Sequence, residues 1–307
     1  MGWATISYPP DRSQNRCQQI AVALFIPKVT NQDFPMKTIV VATDFSPNAR
    51  HAANFAGQLA VEQKAALILL HAYHLWSDNP AKTGDFALSV KAMHESSLTS
   101  LQQLADDIHE RIGTALPIRC IAQEGHTMNT IRSVTKDEHA DLLIMSTVGT
   151  APQSTQLMGS IATEMVAETN VPLLLIPPGI TYAGVKNVVL GIDLAASPNA
   201  VVFETALSFA RSFGSVINVL CISDKPDDAD THKQGEHIRH LLNPQPHTLT
   251  ITTGDEIYDT LLTFAHANKA DLIVMLPQMR NWFQKFIFEG ETQRMARLTD
   301  IPLLAVV

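Results

Sequence analysis

One pattern occurs twice in this chain, and that limits the folds open to it more than any other feature. Ala140-Asp141-Leu142-Leu143-Ile144-Met145 returns 130 residues later as Ala270-Asp271-Leu272-Ile273-Val274-Met275. Val171-Pro172-Leu173-Leu174-Leu175-Ile176 returns at the same distance as Ile301-Pro302-Leu303-Leu304-Ala305-Val306. The openings match too: Thr38-Ile39-Val40-Val41-Ala42-Thr43-Asp44 resembles Asn187-Val188-Val189-Leu190-Gly191-Ile192-Asp193, here at an offset of 149, so the second copy is 19 residues shorter in its middle. One shared run of this kind is common among α/β domains. Two at an identical offset, with a third at the domain starts, indicate a duplication.

Each copy alternates strand and helix. In the first, runs rich in Ile, Val and Leu predict strands near 38–43, 66–72, 118–122, 141–146 and 172–177. They are almost continuously apolar, as strands covered on both faces are. Helical spacing fills the gaps: about Ala49 to Ala60, a long stretch with Val90, Met93, Leu101, Leu104, Ile108 and Ile112 on one face, then Met128–Lys136 and Gly159–Glu168. The second copy predicts strands near 187–193, 216–222, 247–252, 271–276 and 302–307, with a short middle helix near Thr231–Leu242 that accounts for the missing residues. Strands alternating with helices imply parallel sheets. The chain therefore divides into an N-terminal arm, 1–35, without clear periodicity; a first domain, 36–178; and a second, 185–307, after the linker Pro177-Pro178-Gly179-Ile180-Thr181. The expected fold class is α/β, two tandem open five-stranded parallel-sheet domains with helices on both faces.

Composition narrows the function classes. Of 307 residues, 46% are apolar and 17% charged, which suits two globular cores. The net charge of −8 and the lack of a dense Lys/Arg run argue against nucleic-acid binding. A small anion is still compatible, because N–H groups at a helix start hold phosphate without a cation. Cys17, Cys120 and Cys221 are odd in number and form no CxxC pair, which fits free thiols in a reducing, cytoplasmic setting. No run approaches the roughly 18 apolar residues of a membrane span. The apolar run Ile20–Pro27 is short and precedes no small-residue cleavage site, so a secretory signal is not expected.

Several nucleotide motifs are missing: no GxGxxG follows the first strand, and there is no GxxxxGK[ST], no GxSxG elbow, no HxGH and no Ser-Gly-Gly-x-Asp-Ser loop. What the chain does carry lies after the fourth strand: Met145-Ser146-Thr147-Val148-Gly149, nine further residues, then Gly159-Ser160-Ile161. Gly149 falls just past a strand end, where the chain turns and a ligand can approach the backbone. Gly159-Ser160 opens a helix, whose free N–H groups and dipole suit a phosphate. Asp44 closes the first strand and offers acceptors to ribose hydroxyls. Each also has a purely structural reading: a turn glycine, a helix start, and a cap on the first helix with Ser46 before Pro47.

Here the sequence resembles the universal stress protein family, whose ATP-binding members carry Gly-x2-Gly-x9-Gly-[Ser/Thr] after the fourth strand and an Asp at the end of the first. Asp44, Gly149, Gly159 and Ser160 match that pattern; Ser146 stands in place of the first glycine. The resemblance covers residues 37–307. It implies that the backbone at Ala42, Thr43 and Ala72 holds an adenine, and that Met145, Ser146 and Ile161 border the same nucleotide. It implies ATP or another adenine nucleotide as ligand, with room for Mg2+. It also implies strand order 3-2-1-4-5 in each of two separate sheets, and pairing of domains through their last strands, which two copies in one chain can make internally while leaving room for a homodimer.

The second copy departs from the motif. At the offset of 130, Leu276, Met279 and Glu289 replace Ser146, Gly149 and Gly159; Gly290 falls one place late, and Pro277, Trp282 and Phe283 add bulk. Glu289 and Glu291 would repel a triphosphate. Asp193 remains, read as a helix cap. His232, His237 and His240, near Asp227, Asp228 and Asp230, offer metal-ligand types, but the same residues suit a solvated polar helix. The expected function is a non-enzymatic stress-response protein binding one adenine nucleotide in its first domain, with a protein partner of unknown kind. The alternatives are an interaction module with no nucleotide and a very slow ATPase.

Overall fold

The computed structural model describes residues 36–74, 83–113, 115–149, 160–194, 199–253, 257–276 and 300–307, with backbone alone for 83–87, 160, 193, 257 and 258. The expected arm, 1–35, lies outside the described residues. In the first half, β1 (Thr38–Ala42), α1 (Pro47–Gln63), β2 (Ala66–Tyr73), α2 (Thr83–Ile112), β3 (Ile118–Glu124), α3 (Thr127–Asp137), β4 (Leu142–Ser146), α4 (Ser160–Glu168) and β5 (Leu173–Ile176) follow in turn. The second half repeats the series as β6 (Asn187–Asp193), α5 (Ala200–Ser212), β7 (Val216–Ile222), α6 (Ala229–Leu242), β8 (His247–Thr252), α7 (Ile257–Ala267), β9 (Leu272–Met275) and β10 (Leu303–Ala305).

Each half is a parallel sheet in the expected order, β3-β2-β1-β4-β5 and β8-β7-β6-β9-β10. The two sheets are not separate, however. β5 and β10 pair antiparallel and make one ten-stranded sheet. Leu174 lies opposite Leu304, its own counterpart at the offset of 130. That is the pairing a two-fold axis through this point would create, with the same patch used by both halves. It also removes an edge: both last strands are short, fully buried and all apolar, so left unpaired they would expose backbone donors beside apolar surface.

The repeated Ala-Asp runs owe their identity to this architecture. Asp141 Oδ2 accepts the N–H groups of Lys37 at 2.7 Å and Thr38 at 2.9 Å. Asp271 Oδ2 does the same for Lys186 at 2.8 Å and Asn187 at 2.9 Å. In each half the carboxylate before the fourth strand fastens the start of the first, satisfying two N–H groups at once.

Helices cover both faces of the sheet. On one face α1, α2, α5 and α6 share a core that runs across both halves; on the other α3, α4 and α7 bury Ile131, Val166 and Leu261 against the strand side chains of that face, among them Val40, Leu143, Leu175 and Ile273. α1 starts where Ser46 Oγ accepts the Ala49 N–H at 3.1 Å, with Pro47 at its first position, and ends at Lys64 in a left-handed conformation, φ 55°. Its buried stripe is mostly alanine, and Gly57 lets α2 approach so closely that a Cβ there would lie 2.7 Å from Ile108 Cγ2. In the second half the reading of Asp193 as a helix cap is corrected. Asp193 ends β6, and α5 is capped by Asn199, whose side chain accepts from Val201 N at 2.9 Å and Val202 N at 3.4 Å. Asn199 wins because it immediately precedes the helix, within reach of its orphan N–H groups.

Candidate functional site

The strand order turns at one place in the first half. From β1 the chain builds outward through β2 and β3, then returns to lay β4 on the other side of β1. At such a switch the loops leaving β1 and β4 diverge, and a crevice opens beyond their carboxyl ends. A cavity of about 270 Å³ lies there.

Eight of the ten positions read from the sequence line it. The end of β1 gives Ala42, Thr43 and Asp44; β2 gives Ala72; β4 and the turn after it give Met145, Ser146 and Gly149; α4 gives Ile161. Gly159 lies outside the described residues. Ser160 opens α4, as its backbone shows, but its side chain is not described. The turn after β4 meets the end of β1 at close range: a Cβ at Gly149 would lie 2.6 Å from Asp44 Oδ2. Any side chain larger than hydrogen there pushes the carboxylate or the loop aside.

Local bonds fix the polar groups. Asp44 Oδ1 accepts the Ser46 N–H at 3.0 Å, so Asp44 braces the entry to α1 while it faces Gly149. Thr43 Oγ1 accepts the Phe45 N–H at 3.0 Å, and Ser146 Oγ donates to the Val148 carbonyl at 2.8 Å. The backbone expected to hold an adenine is partly engaged: Thr43 N–H donates to the Leu70 carbonyl at 2.9 Å, and the Thr43 carbonyl accepts from His71 Nδ1 at 2.7 Å. Phe45 packs against that imidazole with ring centres 4.5 Å apart.

The structure adds lining residues that the sequence reading passed over, among them His71, Thr127, Ile131 and Thr147. Thr147 sits inside the quoted motif, but a hydroxyl at a strand end has no periodicity to mark it. Thr127 and Ile131 stand one helical turn apart at the start of α3, which is the only signal they gave.

Elsewhere, His232, His237 and His240 are exposed on α6. Among the described residues, no three His, Cys, Asp or Glu side chains are grouped to hold a metal ion. Among them, too, no helix is long and apolar enough to cross a membrane.

Comparison with known proteins places this architecture. The model of the universal stress protein family matches residues 35–177 and again residues 184–307. The chain belongs to the universal stress protein family. Among solved structures, a universal stress protein from Archaeoglobus fulgidus DSM 4304 is similar with a TM-score of 0.64 at 14% identity, over 88% of this chain and 96% of that one. A functionally unknown protein, PA1789, from Pseudomonas aeruginosa PAO1 gives 0.55 at 13% identity, over 90% and 94%. A universal stress protein in complex with cAMP gives 0.37 at 23% identity, over 46% and 97%. No curated protein matches the chain. The two longer likenesses span both halves, so the tandem universal stress protein fold extends across the whole described body.

Proposed function

We propose that this universal stress protein is a non-enzymatic stress-response protein that binds one adenine nucleotide in the cleft of its first half. One observation carries the reading: the cavity opens at the switch between β1 and β4, and eight of the ten residues read from the sequence as nucleotide contacts line it. Its sheet side is apolar, with Ala42, Leu70 and Met145 suited to the face of a base. Asp44 is the acceptor for ribose hydroxyls, and the first turn of α4 supplies N–H donors for a phosphate.

The ionisable side chains in the described lining favour binding over catalysis. Asp44 is tied to the Ser46 N–H and His71 to the Thr43 carbonyl, so both hold the backbone in shape. Mg2+ would travel with the phosphates, because Asp44 is the one carboxylate among the described lining residues and magnesium sites normally complete their shell with phosphate and water.

Mass spectrometry of gently purified protein tests the reading. Co-purified adenine nucleotide at about one per chain is the expected result. Protein that carries none and shows no binding heat with any adenine nucleotide would point instead to an interaction module.

A further inference from the structure

Thr147 is 2% exposed, yet its Oγ1 has no hydrogen-bond partner among the described residues. The residue is well anchored: its N–H donates to the Ile176 carbonyl at 3.0 Å. It also lines the cleft. A buried hydroxyl without a partner is destabilising, and valine would fill the same space without that cost. The neighbouring hydroxyls of Thr43 and Ser146 are both bonded to backbone. Thr147 alone among these three is left with a hydrogen bond to make.

Charge is the second observation. Among the described residues that line the cleft there is no Lys or Arg. The sequence from Thr147 to Met158, which leads away from β4, contains none either. Arg50 and Arg132, on the helices nearby, face Asp107 at 3.4 Å and Glu168 at 3.1 Å, and neither lines the cleft. Asp44 brings a carboxylate. Among the described residues, phosphate is left to backbone N–H groups at the starts of α4 and α3. The N-cap residue of α3, His126, makes no side-chain cap bond. Each helix start carries roughly half a positive charge. That balances one phosphate far better than three.

We propose that the cleft selects an adenosine-type ligand with at most one phosphate, that it disfavours the triphosphate, and that the Thr147 hydroxyl bonds directly to the bound nucleoside. The proposal rests on the adenine-nucleotide reading of this cleft.

Calorimetry on the full chain with adenosine, AMP, ADP and ATP, each with and without Mg2+, tests it. AMP or adenosine binds tightest, ATP at least about tenfold more weakly than AMP, and added salt narrows the gap by screening. Thr147→Val melts no lower than the wild type without ligand, yet binds AMP about tenfold more weakly, which corresponds to ~1.4 kcal/mol. Thr147→Ser keeps the hydroxyl and retains AMP binding, which separates lost contact from lost fold. ATP binding as tightly as AMP overturns the charge selection while leaving the adenine reading intact. Wild-type AMP affinity in Thr147→Val, or equal losses in the Val and Ser variants, overturns the Thr147 contact. No heat with any of the four compounds overturns the adenine reading itself and the proposal with it.

Discussion

Asp141 and Asp271 each hold two backbone N–H groups at the start of a distant strand. Hydrogen bonds to a charged group contribute about 1.5–3 kcal/mol. Asp141→Ala and Asp271→Ala are therefore each expected to lower the unfolding free energy by about that amount in urea titrations, while nucleotide affinity stays at the wild-type level. Gly149 behaves in the opposite way. Its missing side chain leaves room for the Asp44 carboxylate, which a Cβ would meet at 2.6 Å. Gly149→Ala is expected to reduce nucleotide affinity about tenfold or more by calorimetry, ~1.4 kcal/mol, with a stability loss of about 1–3 kcal/mol from overpacking. Unchanged affinity would show that this turn stands away from the ligand.

Among the elements, the linker after β5 is stitched to α1. Tyr182 packs edge-on against Phe55, ring centres 5.0 Å apart, and its hydroxyl donates to Glu62. His51 Nε2 donates to the Ile180 carbonyl. Burial first, and then Glu62, raise the Tyr182 phenol above its ordinary range; burial pushes the Cys221 thiol on β7 up to about 12. Both groups keep their protons in the folded chain after the unfolded chain has lost them. Stability is thus complete below the ordinary thiol value and falls as pH rises above it, by up to about 1.4 kcal/mol per pH unit for the buried thiol. Urea unfolding between about pH 8 and pH 11 is expected to show a shallower decline in a Cys221→Ala, Tyr182→Phe double variant than in the wild type. Parallel declines would contradict it.

The elements themselves were largely legible in the sequence, because buried parallel strands are continuous apolar runs and the helices between them keep a helical stripe. The limits of the last strands were less so: 172–177 and 302–307 were expected, against Leu173–Ile176 and Leu303–Ala305, because each ends with its parallel neighbour, Ile176 opposite Ser146 at the end of β4 and Ala305 opposite Met275 at the end of β9. The start of α5 was misread at Asp193, since Asn199 lies closer to the helix. In the candidate site, Asp44 and Gly149 were readable because strand ends and turns constrain residue type. Thr147 was not, because an unpartnered hydroxyl is a property of its surroundings.

At the scale of the whole molecule, duplication has produced one continuous sheet whose halves meet at Leu174 and Leu304. The internal pairing leaves β3 and β8 as the outer strands. The halves share a fold but differ where a ligand would sit. The first supplies Asp44 and Gly149 to its cleft, whereas the second has Met279 and Glu289 at the motif positions in its sequence. The measurement that bears most directly on this account is the number of nucleotides bound per chain, counted by calorimetry with AMP on the wild type, Asp44→Ala and Asp193→Ala. The account predicts one site, weakened about tenfold or more in Asp44→Ala through lost ribose hydrogen bonds, and untouched in Asp193→Ala. Two equal sites per chain, or one site lost in Asp193→Ala and kept in Asp44→Ala, would contradict it.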